Sequence, residues 1–173
     1  VTYATAHALK SQEKRVKADR KETKAKLMAM KPISYYRKQA QDAFNRFIRL
    51  RDEGKPCISC GRTHVEWTRG GEWDCGHFLS VGSHPELRFE ELNAHRQCKS
   101  CNGGSGKYAR KGYTVAKEYE ERLIERIGQD AVDWLKGPHE AKHYGKDDFL
   151  AIKAKYKTLC RELERDRKEN ADA

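Results

Sequence analysis

Two C-x-x-C pairs constrain this chain more than any other feature: Cys57 and Cys60 in CISC, Cys98 and Cys101 in CKSC. Four thiolates can close a tetrahedron around Zn²⁺, and such a clip pins two distant pieces of chain to one point. The 37 residues between the pairs are more than a minimal zinc ribbon uses, so the loop is expected to carry something besides the clip. With all four cysteines on the metal no coordination position stays open, which makes the zinc structural rather than catalytic. A redox pair is the other use of C-x-x-C. His64 and His95 are spare ligands of a suitable type, not needed to reach four.

Inside the loop lies D-C-G-H-F at Asp74 to Phe78, and the second pair runs directly into Asn102. An Asp74 carboxylate with an Asn102 carbonyl suits a hard cation, Mg²⁺ or Mn²⁺, with waters and a substrate phosphate completing the shell. Such a cation polarises a phosphodiester and offsets charge on the leaving oxygen. His77, whose imidazole titrates near neutrality, is the candidate general base for activating water. Asn93 would orient the His77 ring or pin the loop through backbone hydrogen bonds. Taken singly, Asp74 reads equally well as a strand-end polar residue, Asn102 as a helix cap and His77 as a structural histidine. Their grouping on one segment beside the thiols favours catalysis. His84 and His95 stand behind them, for phosphate contact or metal support. Arg69, Arg88, Arg96, Lys99 and Lys107, followed by Arg110 and Lys111, are the candidate DNA-phosphate contacts. The glycine-rich loop at 103–106 is not a P-loop, because Tyr108 follows Lys107.

The flanking sequence is mostly helical. Residues 1–31 form a basic arm with nine Lys/Arg against three acidic residues, and its apolar stripe (Leu9, Val16, Leu27, Met30) is thin. It is expected to line phosphates, pair with a second copy or remain a solvated helix. Residues 32–56 follow as a packing helix, Tyr35 to Asp52, with Ser34 as N-cap, a core stripe from Tyr36 to Leu50, and Arg46, Arg49 and Arg51 outside. Residues 57–112 are the zinc-stapled module, in which Val65–Trp67 and Trp73–Leu79 read as two strands around an Arg69-Gly70-Gly71 turn and a helix begins near Cys98. Residues 113–173 hold helices at Tyr113–Ile127, Ala131–Leu135 and Asp148–Arg165, with a frayed tail. Cys75 and Cys160 read as packing residues. The fold class is therefore α+β, mostly helical, with a β-hairpin at its centre. A formal net charge of +10 favours a polyanionic partner. No export signal opens the chain and no apolar run spans a bilayer, so a reducing cytoplasm is the expected compartment.

The run C-x-x-C, G-H-F, Asn93 and C-x-x-C-N resembles the zinc-supported HNH (ββα-metal) endonucleases, with His77, Asn93 and Asn102 at the three signature positions. The wider string resembles the phage Rap/NinG recombination nucleases more closely. The similarity runs from FNRFIRLRD at Phe44 to Asp52 through CISCG, DCGHF, RFEELNAHRQC and CKSCN to LIERIG at Leu123 to Gly128, about two thirds of the chain. The resemblance implies a structure-specific, metal-dependent endonuclease, a Holliday junction resolvase acting also on D-loops. It also implies a homodimer and, for a phage-encoded protein, the host cytoplasm. Many HNH enzymes carry Asp or His directly before the catalytic histidine, where this chain has Gly76. The competing readings are a non-catalytic zinc-finger recombination accessory protein and a sequence-specific homing or restriction nuclease. The latter would need a specificity domain for which little chain remains.

Overall fold

A computed structural model describes residues 3–64, 71–103 and 112–171. The elements in order are helices α1 (Tyr3–Ala29) and α2 (Ile33–Arg51), strand β1 (Trp73–His77), a 3₁₀ turn (Pro85–Leu87) and strand β2 (Ala94–Cys98). Helices α3 (Lys99–Asn102), α4 (Gly112–Ile127), α5 (Gln129–Lys136) and α6 (Lys146–Ala171) follow. The chain divides into a unit of residues 1–36 and a unit of residues 37–173.

In the first unit α1 is exposed over nearly all its described length, Leu9, Val16 and Leu27 included, as expected of a helix without an apolar face. Pro32 does break the helical pattern, but α2 starts at once. The Pro32 carbonyl accepts the Tyr35 amide at 3.0 Å, so Ser34 lies inside the first turn and is not the N-cap.

The second unit is built around the β1–β2 ribbon, which is antiparallel with Trp73 opposite Cys98 and His77 opposite Ala94. The described partner of β1 is Ala94–Cys98, a strand not read from the sequence, while the expected strand Val65–Trp67 lies outside the described residues. Side chains alternate across a ribbon, and both faces here are covered. On one face Cys75 and Ala94 pack with Ala43, Phe44, Phe47 and Ile48 of α2 and with Tyr156 and Cys160 of α6. The other side meets α4, whose Tyr119 hydroxyl donates to the Gly76 carbonyl at 3.0 Å and whose ring meets His95 edge-on. Tyr119 and Leu123 join Val132 and Leu135 of α5, Ile58 and Leu87 in a second apolar cluster. Cys75 and Cys160 are packing residues, as expected, and burial pushes the Cys75 thiol up to about 12.

Two details depart from the sequence reading. Arg51 is not on the exposed side of α2: it turns inward, donating to the carbonyls of Glu91 at 2.9 Å and Ala94 at 2.8 Å. Nor does α6 fray at Arg165; it continues to Ala171, with Arg167 bonded to the Leu50 carbonyl and paired with Glu53.

Candidate metal centre and active site

The four cysteines of the two pairs meet. Their sulfurs all lie within 4.8 Å of one another, with Cys57 to Cys98 at 3.6 Å and Cys60 to Cys98 at 3.7 Å. A regular tetrahedron of thiolates about 2.3 Å from zinc has edges of about 3.8 Å, so the set matches a closed zinc site. All four are free thiols. Local structure explains the convergence. The Cys57 amide bonds the Arg62 carbonyl at 2.9 Å and the Gly61 amide the Cys57 carbonyl at 2.9 Å, folding CISCG into a knuckle. Gly61 sits at φ +72°, and the Arg122 guanidinium lies where a side chain would approach, bonding the Ser59 carbonyl. The other half is the β2–α3 junction, where the Cys98 amide donates to the Cys57 sulfur at 3.3 Å. Hydrogen bonds from Cys101, Cys57 and Ser100 hold the Cys98 thiol far below its ordinary pKa, while burial, before its thiol neighbours, raises Cys60. Neither spare histidine takes part: His64 is exposed and His95 is buried against α4.

Beside the thiols, Asp74 and Asn102 come together as expected: the Asn102 amide donates to Asp74 Oδ2 at 3.1 Å, and the Lys99 ammonium pairs with Oδ1. The spot attracts positive charge, and the Asn102 amide, turned over, would present its oxygen there. That donor set fits a hard divalent cation provided Lys99 moves aside.

His77 is not next to this pair. It stands three residues along β1, about 10 Å by strand rise and on the opposite face. Its ring stacks on Phe44 with centroids 5.9 Å apart, and Nε2 lies 3.1 Å from the Arg88 carbonyl. A carbonyl only accepts, so Nε2 carries the hydrogen and the lone pair belongs to Nδ1. Among the described residues nothing bonds Nδ1, and the ring is half-buried. Burial, and then the Arg88 charge, lowers the His77 pKa, against the raising effect of the carbonyl bond; the imidazole is neutral at pH 7. Asn93 is fully buried and takes the second of the two roles expected of it. Its Oδ1 accepts the Leu79 amide at 2.8 Å, and Nδ2 donates to the Leu79 and Leu87 carbonyls at 3.0 and 3.3 Å. It pins the loop leaving β1 and does not touch the ring of His77.

Gly76 is dictated by packing. A Cβ there would run into Gln97, whose amide is held by the Ser59 hydroxyl at 2.7 Å. No carboxylate fits directly before His77, and Asp74 is the next residue on the same face.

The candidate phosphate contacts divide. Arg69, Lys107, Arg110 and Lys111 lie outside the described residues. Arg96 lies flat on Trp73, 3.7 Å from the ring centroid, and Lys99 is engaged by Asp74. Arg88 is half-buried, donating to Gln41 and to the Val81 carbonyl. His84 pairs with Glu86 at 3.2 Å, away from any thiol. A cleft of about 500 Å³ opens beside Asp74, with Arg46, Arg49 and Arg96 facing Glu53, Glu72 and Glu164.

Sequence reasoning missed Asp52, which organises the base of the site. It is buried, bonded to Arg51 at 2.9 Å and Lys55 at 3.1 Å, and it accepts the Arg96 amide of β2 at 3.1 Å. Burial alone would lift its pKa, yet the hydrogen bonds and charge of Arg51 and the Arg96 amide hold it well below the carboxylate range. The available signal was a carboxylate just past the end of α2, where the helix dipole disfavours negative charge unless cations gather there.

The family described as Bacteriophage Lambda NinG protein matches residues 2–167. Over 148 residues the chain is 41% identical to protein ninG of Escherichia phage 933W, covering 86% of this chain and 68% of that protein. It is 40% identical over 148 residues to protein ninG of Escherichia phage lambda and to that of Salmonella phage P22, covering 86% of this chain and 67% of each. No solved structure matches it. The matched span takes in the thiol cluster, the ribbon and every helix packed on it, and the chain belongs to the NinG family of phage proteins.

Proposed function

We propose that this protein is a structure-specific DNA endonuclease that cuts branched recombination intermediates, Holliday junctions and D-loops, by metal-assisted phosphodiester hydrolysis. The observation that carries the reading is the placement of His77: its tautomer is fixed by the Arg88 carbonyl, and its Nδ1 lone pair has no partner among the described residues. A histidine serving only the core would have both ring nitrogens satisfied or sealed. Nδ1 takes a proton from water as the oxygen attacks phosphorus. Phe44 behind the ring and the carbonyl on Nε2 keep the imidazole from turning.

Asp74 and Asn102 are the residues to hold the divalent cation, with Lys99 displaced toward a phosphate. Bound there, Mg²⁺ or Mn²⁺ supplies Lewis acidity and offsets charge on the leaving oxygen. Asp74 and His77 point to opposite faces of β1, but that strand has one edge without a partner strand among the described residues. A DNA strand lying along the edge is within reach of both faces. Zinc in the thiol cluster keeps β2, α3 and the CISCG knuckle in place and takes no part in the chemistry.

The ion pair between Lys99 and Asp74 favours a second reading, a non-catalytic zinc-finger accessory protein that binds recombining DNA. One assay separates the two. Labelled four-way junction, D-loop and linear duplex are incubated with the protein in Mg²⁺, Mn²⁺ or EDTA. The nuclease reading expects cation-dependent cuts in the branched substrates and little in the linear one. Binding to all three without a cut in either cation would leave only the accessory role.

A further inference from the structure

His77 has a second neighbour whose arrangement the catalytic reading leaves unexplained. Arg88 lends its carbonyl to the ring, while its guanidinium reaches back to α2, donating to Gln41 Oε1 at 3.2 Å and to the Val81 carbonyl at 3.3 Å. Gln41 lies one helical turn after Arg37, so Arg37 shares its side of α2. Partial burial lowers the Arg88 pKa, and the charge of Arg37 lowers it further. Both Arg37 and Arg88 lack a carboxylate partner among the described residues. A half-buried guanidinium and an exposed one near it repel, and the repulsion is relieved when an anion sits between them. The contrast is the cleft beside Asp74, where Arg46 already has Glu164 at 2.5 Å and Glu53 is paired with Arg167. Carboxylates line that cleft beside its arginines, whereas none pairs with Arg37 or Arg88 among the described residues.

We propose that Arg37 and Arg88 form an anion site beside His77 that takes a backbone phosphate of the bound DNA strand. Arg88, fixed by Gln41 and Val81, presents a preset guanidinium; Arg37, exposed on α2, closes on the phosphate from the other side. The pair sets where a DNA strand lies relative to Nδ1, and so which phosphodiester the base can reach. The identity of the ligand as DNA rests on the proposed function, whereas the anion site itself does not require catalysis.

The test uses the whole chain with its metal, as wild type, Arg37→Gln and Arg37→Lys; Arg37 is exposed, so these variants keep the fold, which thermal unfolding verifies. Inorganic phosphate is titrated in while the His77 imidazole resonances are followed. In parallel, four-way junction binding is measured in EDTA, too little to strip the zinc, over a range of salt. Phosphate is expected to shift the His77 resonances saturably in wild type and to raise their titration midpoint, because a nearby anion favours imidazolium. Arg37→Gln loses that response and lowers the slope of log affinity against log salt by about 0.9, the release of one counterion, while Arg37→Lys keeps the slope. An equal phosphate response in wild type and Arg37→Gln, an unchanged salt slope, or a wild type that binds no junction overturns the proposal. A chain that shows both effects and cuts no DNA retains the anion site and loses the nuclease. A chain that cuts but shows neither effect does the reverse.

Discussion

At the scale of single residues, two histidines on one ribbon are put to different uses by their surroundings. His77 keeps a lone pair at Nδ1, whereas His95 is 3% exposed and its buried Nδ1 has no partner among the described residues. Burial, then the charge of Arg51, pushes the His95 pKa down to about 3, with Asp52 pulling the other way. The unfolded chain binds that proton near the ordinary value of 6.5, so folding opposes protonation. Stability is whole above about pH 6.5 and falls as pH drops toward 3. Between pH 7 and pH 5 urea unfolding should lose about 2 kcal/mol through this residue. His95→Gln should flatten that acid limb, and an unchanged limb would place the loss elsewhere. His77 also has a lowered pKa, and for a general base the sign is favourable. The neutral form persists into mild acid, so the acid limb of kcat/KM should have its midpoint below 6.5.

Between elements, the thiol cluster does what the apolar clusters cannot: it joins the knuckle after α2 to the end of β2 and the start of α3. Chelation of the metal, or Cys98→Ser, should release α3 and with it the approach of Asn102 to Asp74. DNA binding and cutting would then fail together, with loss of ellipticity and of one zinc per chain by elemental analysis. Retention of both activities in the metal-free protein would make the clip dispensable. The helices that frame the ribbon were legible in the sequence because each shows a 3.6-residue stripe: Phe44 and Phe47 in α2, Val115, Tyr119 and Leu123 in α4, Phe149 and Tyr156 in α6 are buried. Strand β2 was not legible. Ala94-His95-Arg96-Gln97-Cys98 has no β-branched or aromatic residue, and because both faces are covered its burial does not alternate. Its role as partner of β1 comes from the clip at Cys98 and from Asp52 on the Arg96 amide, two contacts distant in sequence. The end of α6 was missed for a related reason: the anchors of Arg167, Leu50 and Glu53, lie on another helix and the turn after it. Within the site the grouping of thiols, and of Asp74 with Asn102, followed from spacing alone. The separation of His77 was legible too: Asp74 and His77 lie three residues apart on a strand already read at Trp73–Leu79, and the two-residue period sends them to opposite faces.

The whole molecule carries a charge of +10, and none of its described helices is long and apolar enough to cross a membrane. On the proposed nuclease reading, that charge would draw the chain to DNA phosphates without selecting a sequence, and the shape of a branch would supply the selection. A four-way junction has two-fold symmetry, so paired cuts call for two sites related by the same symmetry. Sedimentation with junction DNA should therefore give two copies of the 20.0 kDa chain per junction. One copy per junction would instead predict single nicks.

Catalysis by Nδ1 of His77 is tested most directly by comparing wild type with His77→Ala on a labelled four-way junction, measuring binding in EDTA too dilute to strip the zinc and cleavage in Mg²⁺. The nuclease reading predicts unchanged binding and a cleavage rate lower by about 10²–10⁴-fold, the range for loss of a general base. Equal cleavage by the two proteins would contradict it.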